Sequence, residues 1–137
     1  MIEVKNLTKR YGRHLAVDHL NFTVKKGQIY GFLGPNGAGK STTMNIMTGY
    51  LGATEGQVLI NGHDILKEPE EAKRCIGYLP EMPPLYTEMT VMEYLRFAAE
   101  WKKIPKKGRE AQIGAVMKLT KLQPVKDRVI NKLSKGY

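Results

Sequence analysis

The first part of the chain has the apolar spacing of β-strands. Apolar side chains within 2–7 begin one strand, and residues 20–24 alternate apolar and polar side chains in a second. Residues 29–33 are almost continuously apolar, which predicts a strand buried on both faces. After a glycine-rich turn, apolar positions recur at helical spacing and predict a helix over 42–50.

Three shorter patterns follow. Residues 58–63 are apolar up to an Asn-Gly pair, which favours the tight turn of a further β-hairpin. Pro69, followed by two glutamates, predicts the start of a helix, since proline and acidic side chains suit the first turn. Residues 76–79 predict another short buried strand, which ends at Pro80.

The pattern becomes helical beyond Pro84. Thr90 and Glu93 have the spacing of a capping box, so a helix is expected to begin there and to end before Pro105. A second helix is predicted over 109–122. The apolar faces comprise Val91, Tyr94, Leu95, Ala98 and Trp101 in the first helix and Ile113, Val116 and Met117 in the second.

The change of pattern predicts two parts, with a boundary near residues 81–88. Residues 1–84 form a β-subdomain with an α/β core, and residues 85–137 form a helical subdomain. No internal repeat or low-complexity segment interrupts either part.

Composition narrows the protein class. The 137 residues, of which 42% are hydrophobic and 26% charged, are typical of a soluble globular protein of about one domain. No apolar run approaches the roughly 18 residues of a membrane span. The N-terminus lacks the apolar core of a secretory signal, which favours the cytosol. Cys75 is the single cysteine, which excludes an internal disulfide and a multi-cysteine zinc site.

The net charge of +9 is unevenly distributed along the chain. Residues 1–100 contain 11 basic and 11 acidic side chains, whereas residues 101–137 contain 11 and 2. A charge of +9 suggests a nucleic-acid partner, but the whole excess lies in the helical part. That part has no aromatic side chain between Trp101 and Tyr137, which argues against stacking on single strands.

A phosphate-binding motif lies between the predicted strand at 29–33 and the following helix. Its pattern is G-x-x-x-x-G-K-[ST]. The residues are Gly34, Pro35, Asn36, Gly37, Ala38, Gly39, Lys40, Ser41 and Thr42. Glycines allow the backbone to turn its N–H groups inward, and the helix directs its positive end at an anion. Lys40 supplies a charge for the β- and γ-phosphates, Ser41 a ligand for Mg²⁺, and Thr42 a further phosphate contact.

With this loop in place, the chain resembles the ATP-binding subunit of ABC transporters over essentially its whole length. The resemblance implies an α/β fold: a P-loop NTPase core, an N-terminal antiparallel β-subdomain and a helical subdomain, together an incomplete ABC ATPase domain. Tyr11 matches the family's aromatic residue that stacks on adenine, a role that any π-face can fill. Val17 matches the position that packs near the ribose.

The end of the chain resembles the family's signature motif, usually Leu-Ser-Gly-Gly-Gln. Ser134 and Gly136 retain the pattern, while Lys135 and Tyr137 depart from it. The resemblance implies that Ser134, Lys135 and Gly136 contact the γ-phosphate of an ATP held by a second subunit.

Residues 76–81 resemble the segment that leads into the family's Q-loop, where a glutamine usually joins the Mg²⁺ shell. Glu81 stands at that position. A carboxylate suits a hard cation but lacks the donor of an amide. The residues of this segment are similar to those found in the exporter branch of the family.

The family's catalytic residues follow the signature motif, and none can be assigned in this chain. The resemblance therefore implies an ABC-type ATPase whose N-terminal portion, taken alone, binds ATP and Mg²⁺ better than it hydrolyses ATP. An isolated fragment without turnover remains an open interpretation.

The leading functional hypothesis is the ATP-binding component of an ABC exporter, bound peripherally at the cytoplasmic face of the plasma membrane. Its implied partners are ATP, transmembrane permease subunits and a second ATP-binding subunit, with no nucleic acid. The alternative is a soluble ABC-type ATPase that acts on ribosomes or nucleic acid through the basic helical part, with a steep salt dependence.

Overall fold

The computed structural model describes residues 1–134 and residue 136. Within it the chain divides into two compact units, residues 1–79 and 80–137. The elements in chain order are β1 (Ile2–Tyr11), β2 (His14–Val24), α1 (Lys40–Met47), β3 (Glu55–Ile60), β4 (His63–Asp64), α2 (Pro69–Arg74), α3 (Val91–Trp101) and α4 (Arg109–Leu119), with 3₁₀ turns at Gln123–Val125 and Ile130–Lys132.

The N-terminal unit is built on an antiparallel sheet with strand order β2-β1-β3-β4. In β1, Ile2 pairs with Val24 of β2 and with Ile60 of β3, so β1 is a central strand. The predicted Asn-Gly turn joins β3 to β4, since Ile60 pairs with His63. The buried side chains of this unit are Val4, Leu7, Val17, Ile46, Met47, Val58, Ile60, Ile65 and Ala72.

The predicted strand at 29–33 is wrong. These residues belong to no strand or ladder, and Ile29 and Leu33 are 99% and 91% exposed. Two alternate side chains of the segment pack on Phe22 of β2. The ring centroids of Tyr30 and Phe32 each lie 5.5 Å from that of Phe22, and the ring of Tyr30 is stacked on it. A strand buried on both faces needs hydrogen-bonded neighbours, and the described residues supply none here.

The predicted strand at 76–79 is wrong for the same reason. The segment forms no ladder among the residues described, and Leu79 is 81% exposed. Its side chains are apolar, but whether an apolar segment pairs as a strand depends on other strands that are remote in sequence.

The helical unit confirms the predicted capping box. The N–H of Glu93 donates to Thr90 Oγ1 at 3.2 Å, and the N–H of Thr90 donates to Glu93 Oε2 at 2.8 Å. The hydroxyl of Thr90 also donates to Glu93 Oε2, at 2.9 Å, and the two bonds that the carboxylate accepts, from the backbone N–H and from the hydroxyl of Thr90, hold the pKa of Glu93 below its ordinary value. Because the cap satisfies donors at the helix start, α3 begins where the sequence predicts.

Helices α3 and α4 pack around a small core of Ala99, Ile113 and Met117. The guanidinium of Arg96 donates to both carboxylate oxygens of Glu110, at 2.9 and 3.0 Å, and links the two helices. Val116, expected on the apolar face, is 45% exposed. Within the part of the chain that is described, no helix has the length and apolarity required to cross a bilayer.

Candidate phosphate-binding site

The loop between residues 34 and 39 and the first turn of α1 form the candidate site. Gly37 and Gly39 have φ angles of 84° and 79°, a backbone conformation that favours glycine. The N–H of Ala38 donates to the carbonyl of Pro35 at 3.2 Å and closes the turn. The sequence pattern therefore corresponds to the compact loop that it predicts.

Helix α1 begins directly after this loop. Its N-cap is Gly39, which has no side chain to cap the helix. The first N–H groups of an α-helix lack partners within the helix, and its N-terminus carries a partial positive charge. Ser41 is exposed on this first turn, and Thr42 is half-buried beside it. The arrangement presents donors and positive potential to an anion.

Lys40 adds a full charge at the same place. Its ammonium donates to the carbonyl of Gly34 at 2.6 Å and to the carbonyl of Pro35 at 2.7 Å. These two bonds hold Nζ against the loop, where a phosphate would meet a cation and the helix N-terminus together.

The loop rests on β2 at one close contact. A Cβ at Gly39 would overlap the carbonyl oxygen of Ala16 and would lie 2.9 Å from Val17 Cγ2. Val17 is buried, at 6% exposure. The structure thus places Val17 against the phosphate loop, in a cleft of about 540 Å³ lined also by Asp18, Gly37 and Lys40.

Thr43 anchors the loop from inside α1. Its side chain is 1% exposed, and its hydroxyl donates to the carbonyl of Gly39 at 2.9 Å. Sequence reasoning missed Thr43 and Ala16, because the motif pattern covers ligand-facing positions and not the residues that support them.

Tyr11 lies at the last position of β1, opposite His14, and its side chain is 48% exposed. It is not among the residues that line the cleft beside the loop. The ring has a neighbour that the sequence did not predict: Lys9 Nζ lies 5.3 Å from its centroid.

The remaining predicted residues belong to the other unit. Glu81 and Ser134 are exposed, and Gly136 is in a turn. Lys135 and Tyr137 lie outside the described residues. Among residues 1–134 and 136, no three His, Cys, Asp or Glu side chains are grouped to hold a metal ion. Magnesium is commonly bound by one or two protein oxygens together with phosphates and waters, so the hydroxyl of Ser41 fits such a shell.

Comparisons with known proteins agree on one family. The model of the family described as ABC transporter matches residues 17–137. The bacitracin transport ATP-binding protein BcrA of Bacillus licheniformis is 40% identical over 136 residues, which are 99% of this chain and 44% of that protein. The "Probable multidrug ABC transporter ATP-binding protein YbhF" of Escherichia coli K12 is 48% identical over 97 residues, 71% of this chain and 17% of that protein. The chain thus spans less than half the length of either relative.

Solved structures give the same result for the fold. An ATP-binding subunit of an ABC transporter superposes with a TM-score of 0.84 and 31% identity, over 98% of this chain and 56% of that one. An ATP-binding cassette solved as a dimer bound to ADP and Pi superposes with a TM-score of 0.79 and 25% identity, over 98% of this chain and 63% of that one.

Proposed function

Because this chain belongs to the ABC transporter family, we propose that it binds ATP with Mg²⁺ and, in an intact subunit, hydrolyses ATP to power a membrane exporter. Its fold is that of an incomplete ABC ATPase domain, as the sequence predicts. The observation that carries the proposal is the phosphate loop, with Lys40 Nζ held 2.6 Å from the carbonyl of Gly34 at the start of α1.

The phosphate loop supports the proposal through charge and geometry. Phosphoryl transfer depends on positioning and on neutralising charge, and a loop, a helix N-terminus and a lysine supply both. The proposed phosphate contacts come from the backbone between Gly34 and Gly39, from the Lys40 ammonium and from Thr42. A triphosphate is thus the polyanion that the charges at this site suit best.

The adenosine part of ATP is proposed to contact two side chains. Val17, buried against the loop, contacts the ribose, and the half-exposed ring of Tyr11 stacks on adenine. Stacking on an aromatic ring requires an accessible face, which the 48% exposure of Tyr11 allows.

Ser41 and Glu81 are each proposed as an oxygen ligand of magnesium. Mg²⁺ supplies charge neutralisation at the β- and γ-phosphates when bound. The exposed position of Ser41 in the first turn of α1, next to the proposed phosphate loop, supports its role, and the exposed carboxylate of Glu81 is an oxygen ligand of the kind that a hard cation prefers.

A second ATP-binding subunit is a further proposed partner. The solved ATP-binding cassette that is bound to ADP and Pi, and to which this chain is similar, is a dimer. Ser134, Lys135 and Gly136 are proposed to contact the γ-phosphate of ATP on that second subunit. The exposed position of Ser134 suits such a contact.

Permease subunits are proposed to contact an aromatic surface of the helical unit. The ring of Phe97 packs against Tyr86 at 5.1 Å, Tyr94 at 6.2 Å and Trp101 at 6.4 Å. Trp101 remains 79% exposed and Tyr86 54%. An exposed patch of this kind typically marks a protein interface, in which aromatic side chains contribute most of the binding energy.

Replacing Trp101 by serine should weaken permease binding by about tenfold, since an aromatic anchor in an interface is worth more than about 1 kcal/mol. The measurement is the amount of a polytopic membrane protein that co-purifies with the intact protein from detergent-solubilised membranes. Leu119→Ser is the matched control, because Leu119 is 85% exposed in the same unit and takes no part in the aromatic cluster. Equal losses for both variants would contradict the proposed surface.

Export is the proposed direction of transport. Two relatives carry the names of a bacitracin and a multidrug transport protein, and we propose cargo of that hydrophobic or drug-like kind.

The proposed location is the cytoplasmic face of the plasma membrane, where ATP is available and where permease subunits would hold the protein. Because the relatives from Bacillus licheniformis and Escherichia coli are named as transport proteins, a role in export is favoured over that of a soluble ATPase acting on ribosomes or nucleic acid.

Thermal unfolding tests nucleotide binding directly. A ligand that binds only the folded state stabilises it by about 2.7 kcal/mol at a hundred times its dissociation constant. Mg-ATP should therefore raise the Tm of the intact protein by several degrees, and AMP at equal concentration should not. An unchanged Tm with Mg-ATP at millimolar concentration would contradict the proposed function.

A further inference from the structure

Lys9 lies at the end of β1, two residues before Tyr11. Its ammonium donates to the carbonyl of Gly52 at 2.7 Å and lies 5.3 Å from the centroid of the Tyr11 ring. The side chain therefore joins two features that are separate in the sequence: the loop that follows α1 and the ring proposed to stack on adenine.

The strand end around Lys9 is also tied to that loop through the backbone. The N–H of Thr54 donates to the carbonyl of Thr8 at 2.9 Å, and the N–H of Arg10 donates to Thr54 Oγ1 at 3.0 Å. These bonds fix the loop against the strand. The Gly52 carbonyl lies two residues before this anchor, so the Lys9 ammonium is hydrogen-bonded to a loop that is itself tied to β1.

A cation that is hydrogen-bonded in this way also restrains the ring beside it. An ammonium within about 6 Å of a ring centroid is attracted to the ring face. Tyr11 otherwise lies at a strand end with 48% of its surface exposed, where a ring can turn between rotamers. With one face directed at Lys9, the other face is left for a flat ligand.

We propose that Lys9 is a positioning residue for the purine base. It acts through Tyr11, orienting the ring for stacking and drawing electron density from it, and it does not contact the nucleotide itself. This inference rests on the proposed function, since it requires Tyr11 to stack on adenine.

The test compares Mg-ATP with Mg-tripolyphosphate, which has the phosphates but no base. Lys9→Met retains the apolar stem and removes the charge. It should weaken Mg-ATP binding by about three- to fivefold, the size of an exposed cation–π interaction, and leave Mg-tripolyphosphate binding unchanged. Lys9→Arg should restore most of the loss. Titration calorimetry on the intact protein gives both affinities.

Lys5→Met is the matched control, because Lys5 is an exposed lysine of the same strand that pairs with Glu3 at 3.0 Å. It should leave both affinities unchanged. Equal losses for the two ligands in Lys9→Met would mean that Lys9 acts as a general charge, and an unchanged Mg-ATP affinity would mean that it does not act at all. Either result overturns the inference.

Tyr11→Ala separates this inference from the function on which it rests. If Tyr11→Ala weakens Mg-ATP binding selectively, stacking stands, and Lys9→Met should then add no further loss in the Tyr11→Ala background. A further loss in that background overturns the role of Lys9 alone. If Tyr11→Ala leaves Mg-ATP binding unchanged, adenine stacking fails, and the inference about Lys9 fails with it.

Discussion

Replacing Lys40 by alanine is expected to lower the affinity for Mg-ATP by roughly 10- to 100-fold. A hydrogen bond to a charged group is worth roughly 1.5–3 kcal/mol, and about 1.4 kcal/mol corresponds to a factor of ten. The ammonium already lies at the loop, 2.6 and 2.7 Å from the carbonyls of Gly34 and Pro35, so a phosphate there would meet it directly.

The loss in Lys40→Ala should be similar for Mg-ATP and Mg-tripolyphosphate, because Lys40 acts on phosphates and not on the base. Titration calorimetry with both ligands measures this. Lys26→Ala is the control, since Lys26 is an exposed lysine of the same unit outside the phosphate loop. If Lys40→Ala binds Mg-ATP as tightly as the unchanged protein and gains the same thermal stabilisation, the site assignment is wrong.

Gly39→Ala should lower the free energy of unfolding by about 2–5 kcal/mol. A side chain at φ 79° costs roughly 1–2 kcal/mol. The added Cβ would also overlap the carbonyl oxygen of Ala16 and lie 2.9 Å from Val17 Cγ2, and overpacking of this kind costs typically 1–3 kcal/mol. The Ala16 carbonyl belongs to β2, so relief requires the loop or the strand to move.

Gly37→Ala separates the two costs. Gly37 has nearly the same conformation, with φ 84°, but no heavy atom lies within 4 Å of its added Cβ. The free energy of unfolding of Gly37→Ala should therefore fall by only about 1–2 kcal/mol, the cost of the backbone conformation alone. Urea unfolding of the intact protein gives both values. Equal losses in the two variants would show that the contact with Ala16 and Val17 contributes nothing to stability.

The phosphate loop could be predicted from sequence because its conformation is local. Gly37 and Gly39 adopt positive φ angles, and Lys40 is adjacent to the turn that it serves. The capping box of Thr90 and Glu93 is local in the same way, since its hydrogen bonds join residues three apart. The roles of Tyr11, Glu81 and Ser134 came from resemblance and stay predictions.

Features that depend on remote residues could not be predicted. The apolar runs at 29–33 and 76–79 have the composition of buried strands but pair with no other strand among the described residues. Trp101 shares the apolar spacing of α3 yet is 79% exposed, because spacing identifies a face and not what covers it.

The sequence by itself determined the phosphate loop, the tight turn between β3 and β4 and the cap of α3. Each depends on backbone preferences and hydrogen bonds within a few residues. Only the tertiary structure placed Val17 against Gly39 and Lys9 between Tyr11 and Gly52. The contacts of Val17 with Gly39 and of Lys9 with Gly52 join residues 22 and 43 positions apart, and a contact at such separation is decided by the packing of the strands around it, which no local pattern records.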